Sequence, residues 1–269
     1  MNRRIKLSWP IYAVVLISLI ALAIGGCTNV PTPLEGTSYN VGIGTKGTLG
    51  DYLIDANGKA LYYFAKDTVG ISNATGVLID VWPVFYVETL NLPADLDAAN
   101  FGTITRPDGK KQTTYHGWPL YTYAADVASG DTLGEGFEGL WFVVKVPFYT
   151  VMVESKADVG TYLADPKGMA LYHAAFDSNG KSNATSAILG LWPIFSQSNF
   201  IVPSTLNPAD FNIATTGGQV QATYKGWPLY YFINDKAPGD TLGQGIKNVW
   251  SVTAPDVAPA PSTPTAPVP

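Results

Sequence analysis

The segment Gly117-Trp118-Pro119-Leu120-Tyr121-Thr122-Tyr123-Ala124-Ala125-Asp126 decides the fold of this chain, because related segments occur four times. Each begins with Gly, carries Leu-Tyr from the fourth position and ends on Asp, and the four start at Gly58, Gly117, Gly168 and Gly226. Short apolar and aromatic runs that end in turn residues are typical of β-strands. The repetition therefore predicts a mostly β protein built from related units.

The four segments group into two larger repeats. Trp82 recurs as Trp192, and Trp141 recurs as Trp250 at almost the same spacing. This regular spacing predicts two tandem domains, repeat 1 over residues 48–148 and repeat 2 over residues 156–254. The joint between them, residues 148–159, begins with apolar residues and is able to form a short strand.

Turn signals indicate antiparallel hairpins inside each repeat. Asn57-Gly58 follows a Tyr-Leu-Ile run, and Pro107-Asp108-Gly109 separates two further strand-like runs. Only residues 73–82 have a short helical pattern. We expect two small antiparallel β domains, each a sandwich or an open barrel, and each made from a duplicated hairpin-like half.

The N-terminus predicts export and a lipid anchor. Basic residues precede an apolar run over residues 11–24, and Gly25-Gly26 lead to Cys27, the one cysteine of the chain. The run is shorter than the roughly 20 residues of a membrane span, which favours a cleaved signal peptide over residues 1–26. A lipidated Cys27 would bind the membrane, with residues 27–47 as a spacer. An uncleaved membrane helix is the alternative.

Composition excludes several other classes. Loss of the signal peptide removes three basic residues, which takes the net charge from -5 to -8 and disfavours nucleic-acid binding. No cysteine remains for a disulfide within the exported part.

The C-terminal residues 255–269 are rich in Pro, Ala, Thr and Ser, which predicts an extended, disordered tail.

The aromatic residues of the repeated segment have two interpretations. Side chains two residues apart share one face of a strand, so they form pairs that either stack on a ligand such as a polysaccharide or pack inside the domain. The packing alternative is the more ordinary one. The candidate ligand-facing aromatics are Tyr62, Phe64, Tyr121, Tyr123, Tyr230 and Phe232.

Acidic residues after the strands offer a weaker cation site. Asp126 and Asp131, with Asp235 and Asp240 in the second repeat, lie among glycines and carbonyl groups that calcium could use. The alternative is that these carboxylates accept N–H bonds in tight turns. No cofactor is predicted apart from this calcium hypothesis.

Other chemistry is sparse. His116 and His173 do not recur between the repeats, and no hydrolase motif stands out, so an enzyme is the least favoured hypothesis. Asn73 and Asn183 begin triplets that can accept N-linked glycans.

The spaced motifs resemble a known family. The Tyr-x-aromatic-x-x-Asp segments, the Ser-Asn-x-Thr loop before Trp-Pro and the Gly-Asp-Thr-x-Gly-x-Gly segment are similar to bacterial and archaeal lipoproteins called a secreted repeat of unknown function. The resemblance covers both repeats and implies an exported domain without an established activity. Many members carry a cysteine pair before Trp-Pro, where this chain has Ala74 and Leu78 in repeat 1 and Ala184 and Ile188 in repeat 2.

We therefore expect an extracytoplasmic lipoprotein, anchored to the cell membrane or the outer membrane. Its expected role is a non-enzymatic binding or structural module that contacts cell-wall or surface polysaccharide or an envelope protein. The alternative is a metal- or redox-accessory protein, in which the aromatic rows relay electrons or the Asp loops hold a cation.

Overall fold

The computed structural model describes residues 39–269, which are mostly β-structure and turns. The predicted signal peptide and Cys27 lie outside the described residues. The strands of repeat 1 are β1 (Val41–Lys46), β2 (Gly50–Asp55), β3 (Tyr62–Phe64), β4 (Phe101–Thr105), β5 (Lys111–Tyr115), β6 (Trp118–Pro119) and β7 (Trp141–Val143). Those of repeat 2 are β8 (Met152–Lys156), β9 (Gly160–Ala164), β10 (Tyr172–Ala174), β11 (Phe211–Thr216), β12 (Gln219–Tyr224), β13 (Trp227–Pro228) and β14 (Trp250–Val252).

Two short helices, α1 (Leu78–Val81) and α2 (Ser186–Leu191), precede the two Trp-Pro pairs. The predicted helical segment of repeat 1 is thereby confirmed. Single 3-10 turns lie at Gly47–Leu49, Ala98–Asn100, Pro208–Asp210 and Ile246–Asn248. No helix within residues 39–269 combines the length and the apolar character that a membrane crossing needs.

The strands form small antiparallel sheets, as the sequence predicts. In repeat 1 they are β1–β2, β3–β7 and β4–β5–β6, and in repeat 2 they are β8–β9, β10–β14 and β11–β12–β13. None of these sheets closes into a barrel. The domain is instead a set of short ribbons wrapped around aromatic side chains.

The first ribbon changes a predicted boundary. β1 pairs with β2 along its whole length, from Val41 opposite Asp55 to Lys46 opposite Gly50. Sequence analysis placed residues 41–46 in the spacer, because the segment up to residue 47 is rich in Gly, Ser and Thr. Val41 is nevertheless completely buried, so the segment belongs to repeat 1. In the same way β8 begins before the predicted start of repeat 2 at residue 156, and it forms the strand expected in the joint.

The two halves of each repeat exchange strands. We define the halves of repeat 1 as residues 41–86 and 101–145, in which Tyr121 and Val143 are the equivalents of Tyr62 and Val84. β3 of the first half pairs with β7 of the second, with Tyr62 opposite Val143. Val84 forms a bridge with Tyr121, which is the same pairing with the two halves interchanged. Each half thus completes the sheet of the other, around an approximate twofold axis.

Both repeats contribute to one large hydrophobic core. It contains Tyr63 and Trp118 of repeat 1 together with Tyr162 and Leu171 of repeat 2, all of them buried. The Ser155 N–H donates to the Ala65 carbonyl oxygen at 2.7 Å across the junction of the repeats. A smaller cluster, centred on Trp82 and Trp141, belongs to repeat 1 alone.

The Pro-rich tail differs from its prediction. Residues 255–269 are extended, as expected, but they are docked on repeat 2 and are not disordered. The Trp227 Nε1–H donates to the Ala258 carbonyl oxygen at 2.8 Å, and the Thr265 N–H donates to the Ala175 carbonyl oxygen at 3.0 Å. A proline-rich chain has no core of its own, but its extended backbone leaves polar groups free to bond to a neighbouring domain.

Candidate functional site

The Tyr and Asp residues of the repeated motif meet inside each repeat, but each Tyr meets the Asp of the other half. The Tyr62 hydroxyl donates to Asp126 Oδ2 at 2.7 Å. The Tyr121 hydroxyl donates to Asp67 Oδ2, also at 2.7 Å. Between these two bonds the backbones of Tyr62 and Tyr121 exchange a reciprocal pair of N–H···O=C bonds. We call this arrangement the crossed Tyr–Asp lock.

The second oxygen of each Asp fixes the loop that follows it. Asp67 Oδ1 accepts the Asn73 N–H at 2.6 Å, and Asp126 Oδ1 accepts the Leu133 N–H at 2.8 Å. Each carboxylate therefore links its own loop to the tyrosine of the opposite half. Such charge-assisted bonds are stronger than bonds between neutral groups.

Repeat 2 contains the same lock. The Tyr172 hydroxyl donates to Asp235 and the Tyr230 hydroxyl to Asp177, both at 2.7 Å. Asp177 also accepts the Asn183 N–H, and Asp235 the Leu242 N–H. The motif thus forms the same contacts four times in one chain.

Burial changes the acidity of the lock. Loss of hydration raises the pKa of Asp67 to about 7 and that of Asp177 to about 6, although hydrogen bonds to each carboxylate act in the opposite direction. The buried Arg106 guanidinium also lies close to this network, and it donates to Ser72 and to the Ala74 carbonyl oxygen. The tyrosines respond in the same direction, since desolvation and the Asp126 carboxylate raise the pKa of Tyr62.

Glu154 is a further buried acid, and it has no counterpart in repeat 1. It accepts the Tyr162 hydroxyl at 2.8 Å, while its other carboxylate oxygen has no hydrogen-bond partner among the described residues. Desolvation raises its pKa to about 8. Gly44 stands at the equivalent position of repeat 1, which leaves the buried Tyr52 hydroxyl without a partner in the described chain.

A stack of four aromatic rings lies beside the lock in repeat 1. Trp82 and Trp141 are parallel within 1°, with ring centroids 3.9 Å apart. Phe64 stacks on the outer face of Trp141 and Tyr123 on the outer face of Trp82, each at 4.2 Å. The order Phe64–Trp141–Trp82–Tyr123 alternates between the halves and follows the same approximate twofold axis.

Repeat 2 has a shortened stack. Trp192 and Trp250 lie 3.7 Å apart, and Phe232 covers Trp192 at 4.3 Å. Ala174 stands where Phe64 would cover the last ring. Phe176, which replaces the exposed Lys66, contacts Trp250 edge-on at 5.2 Å and is completely buried.

The predicted ligand-facing aromatics separate into two groups. Tyr62, Tyr121 and Tyr230 are 0% exposed and Phe64 is 4% exposed, so their assignment to a ligand-binding face is wrong. Their rings pack inside the domain, which was the alternative interpretation. Tyr123 and Phe232 are only half-buried, at the open end of each stack.

The predicted calcium ligands are engaged by the protein itself. Asp126 and Asp235 belong to the lock. Asp131 accepts the N–H groups of Val127 and Ala128, and Asp240 those of Lys236 and Ala237. These are the turn contacts of the alternative interpretation. Within residues 39–269 no three His, Cys, Asp or Glu side chains form a group able to hold a metal ion.

The remaining candidates lie apart from the lock. The side-chain amides of Asn73 and Asn183 donate to the carbonyl oxygens of Lys66 and Phe176, so both side chains are bonded to the backbone of the preceding strand end. His116 stacks on Phe148 at the joint between the repeats. His173 packs on Trp227, and burial lowers its pKa to about 4.

Comparison with known proteins agrees with this repeated architecture. Residues 45–86, 102–145 and 212–254 each match a family described as a secreted repeat of unknown function. Three segments of the chain are therefore similar to this family's repeat. No curated protein and no solved structure matches the chain. The resemblance inferred from the motifs is confirmed, and the family indicates an extracellular location.

The limits of the matches carry structural information. Each secreted-repeat match corresponds to one half and ends near the Trp segment that the half contributes to its partner. The unmatched half of repeat 2 contains Ala174, where the motif loses its second aromatic ring. One family repeat is therefore half of a structural domain.

Sequence reasoning missed how the motifs are connected. The echo between the halves was visible from Gly58 to Asp67, and the same spacing relates Trp82 to Trp141. Because these tryptophans share the spacing of the two motif segments, they could have been predicted to form a pair related by a twofold axis. The crossing of the Tyr–Asp bonds has no sequence signal, because both Asp residues are equally spaced from their own Tyr.

Proposed function

We propose that this secreted-repeat protein is a non-enzymatic binding or structural module of the cell envelope, held at the membrane by a lipid on Cys27. The observation that carries the proposal is the crossed Tyr–Asp lock. The Tyr and Asp residues of the motif are buried, and their polar atoms form hydrogen bonds with one another and with loop N–H groups. Their recurrence in four halves thus supports stability outside the cell without a disulfide.

Binding would use the surfaces that the lock holds in place. Leu133 and Leu242, at equivalent positions in the two repeats, are both 62% exposed in the loops that the Asp carboxylates fix. The half-buried rings of Tyr123 and Phe232 lie at the ends of the stacks. The accessible part of such a ring suits the apolar face of a sugar ring, which favours a cell-wall or surface polysaccharide as the partner.

The binding role is tested with isolated envelope polysaccharide and the chain expressed from residue 28. A variant with Tyr123→Ala and Phe232→Ala should be retained at least about fivefold less than the parent, and Tyr86→Ala, at an unrelated exposed aromatic, should change nothing. Equal retention of all three proteins would contradict the polysaccharide role. Release of soluble sugars from the material would instead indicate an enzyme.

The anchor is tested separately. Cys27→Ser should abolish partitioning into the detergent phase and leave the signal peptide attached. A variant that partitions and migrates like the parent would overturn the lipid anchor while leaving the binding role in place.

The accessory role in metal or redox chemistry has one supporting observation, the close contact of Trp82 and Trp141. The acidic loops support it less, since their carboxylates already accept N–H bonds. Elemental analysis of the exported protein distinguishes the two proposals. A stoichiometric metal would favour the accessory role.

A further inference from the structure

The downstream face of repeat 1, which comprises Ala65, Thr68 and Trp118, is covered by repeat 2. The Ser155 N–H of β8 donates to the Ala65 carbonyl oxygen at 2.7 Å. The Trp118 Nε1–H donates to the Pro166 carbonyl oxygen at 3.0 Å. Gly239 approaches the Thr68 side chain so closely that a Cβ atom there would lie 2.8 Å from it. The repeats therefore meet through specific hydrogen bonds and close packing.

The downstream face of repeat 2 consists of the equivalent residues Ala175, Ser178 and Trp227, and the Pro-rich tail covers it. The Ala175 carbonyl oxygen accepts the N–H of Thr265, as the Ala65 carbonyl oxygen accepts that of Ser155. The Trp227 indole donates to the tail as Trp118 donates to repeat 2. The Asn179 N–H, beside Ser178, donates to the Pro261 carbonyl oxygen at 2.8 Å. The tail thus bonds to the same groups on this face that repeat 2 bonds to on the downstream face of repeat 1.

The upstream face of repeat 1 has the residues of the complementary surface, and no other repeat within residues 39–269 covers it. Thr45 lies opposite Asp51 in the β1–β2 ribbon, as Ser155 lies opposite Thr161 in β8–β9. Ala56 and Gly130 correspond to Pro166 and Gly239, and Thr45 and Ala56 are exposed. In repeat 2 the same three positions form the contact with repeat 1.

We propose that the downstream face of repeat 2 is an acceptor site for the upstream face of repeat 1 in a second copy of this chain. The tail occupies this site within each molecule and keeps the protein monomeric. A head-to-tail contact leaves one unused face at each end of the pair, so an uncapped molecule would add further copies until the chain of copies closes into a ring. Tandem-repeat proteins end in atypical capping units for the same reason, and here the cap is a single extended segment.

Removal of the tail tests the proposal. The chain from residue 28 to residue 254 should form dimers and longer species whose apparent mass in sedimentation velocity rises with concentration, whereas the chain from residue 28 to residue 269 should stay monomeric. A peptide of residues 255–269, added in excess, should return the truncated protein to monomers. Thr45→Pro with Gly130→Trp on the upstream face should also prevent its association.

A folded, truncated protein that stays monomeric at the highest concentration it tolerates would overturn the proposal, and so would association that the upstream variants do not reduce. If the truncated chain does not fold, Ala260→Glu with Thr265→Pro loosens the tail in the full exported chain. Association of this variant supports the proposal. A folded monomer of the variant with a protease-sensitive tail contradicts it.

Discussion

The Tyr62 hydroxyl bonds to Asp126 of the other half, and not to Asp67 of its own motif. The reciprocal bond from Tyr121 to Asp67 makes the two motifs of a repeat interdependent. Together with the exchanged strands β3 and β7, this relationship makes a pair of halves the smallest unit in which the Tyr and Asp groups of the motif find their partners. The predictions below follow from this interdependence.

The stability lost when a ring of the stack is truncated to Ala should depend on the position of that ring. Phe64→Ala removes a ring that is 4% exposed and should lower the free energy of unfolding by about 3–5 kcal/mol. Phe232→Ala removes a half-buried end ring, so the loss should be about 1–2 kcal/mol. Denaturant unfolding of the two variants measures the difference, and equal losses would contradict the burial order.

Replacement of the stack residues of repeat 2 by those of repeat 1 should be tolerated only when both residues are changed together. Ala174→Phe alone overpacks a completely buried site, and Phe176→Lys alone places a charge beside Trp250, so each should cost about 1–3 kcal/mol. The double variant recreates the Phe64 and Lys66 pair of repeat 1. In a double-mutant cycle, its loss of unfolding free energy should be smaller than the sum of the two single losses by at least about 1 kcal/mol. Additive losses would show that Phe176 does not replace Phe64.

Stability should fall as the pH rises. Glu154 has a pKa of about 8 in the folded protein, above its ordinary value of 4.5, so the folded state holds a proton that the unfolded state has released. Between these values the folded state therefore loses stability with increasing pH. Asp67 and Asp177 act in the same direction up to about pH 7 and pH 6.

Glu154→Gln isolates this effect, because glutamine keeps the acceptor for Tyr162 and cannot ionise. The variant should flatten the decline between pH 7 and pH 8, the interval above the pKa values of Asp67 and Asp177. Chemical denaturation at each pH provides the measurement. A decline in the variant as steep as in the parent would rule out Glu154 as its source.

The β1 strand should be required for repeat 1. A chain that starts at residue 48 lacks β1, whereas one that starts at residue 39 keeps it. Loss of the buried Val41 side chain alone removes about 1.5–3 kcal/mol of apolar burial, and β2 also loses its ladder partner. The shorter chain should melt at a clearly lower temperature. Equal melting temperatures would return residues 41–46 to the spacer.

The sequence was sufficient for the fold class, the repeats and the β4–β5 hairpin, because turn residues and strand patterns are local signals. It misplaced β1, because residues 41–46 lack a clear strand pattern and the burial of Val41 depends on the rest of repeat 1. The tail was misjudged for a related reason: proline-rich composition excludes a core but says nothing about a surface on which the segment docks. Burial of the motif tyrosines was also not encoded locally, because the partner of each Tyr lies in the other half.

Paired double-mutant cycles test the crossed lock most directly. Tyr62→Phe removes one donor from the buried Asp126 and should cost about 1–3 kcal/mol, while Tyr86→Phe, at an exposed site, should cost almost nothing. The decisive comparison is the coupling of Tyr62→Phe with Asp126→Asn against its coupling with Asp67→Asn, measured by denaturant unfolding. The crossed pair should couple by at least about 1 kcal/mol, and the pair within one motif by less than about 0.5 kcal/mol. Stronger coupling within the motif than across the halves would contradict the lock.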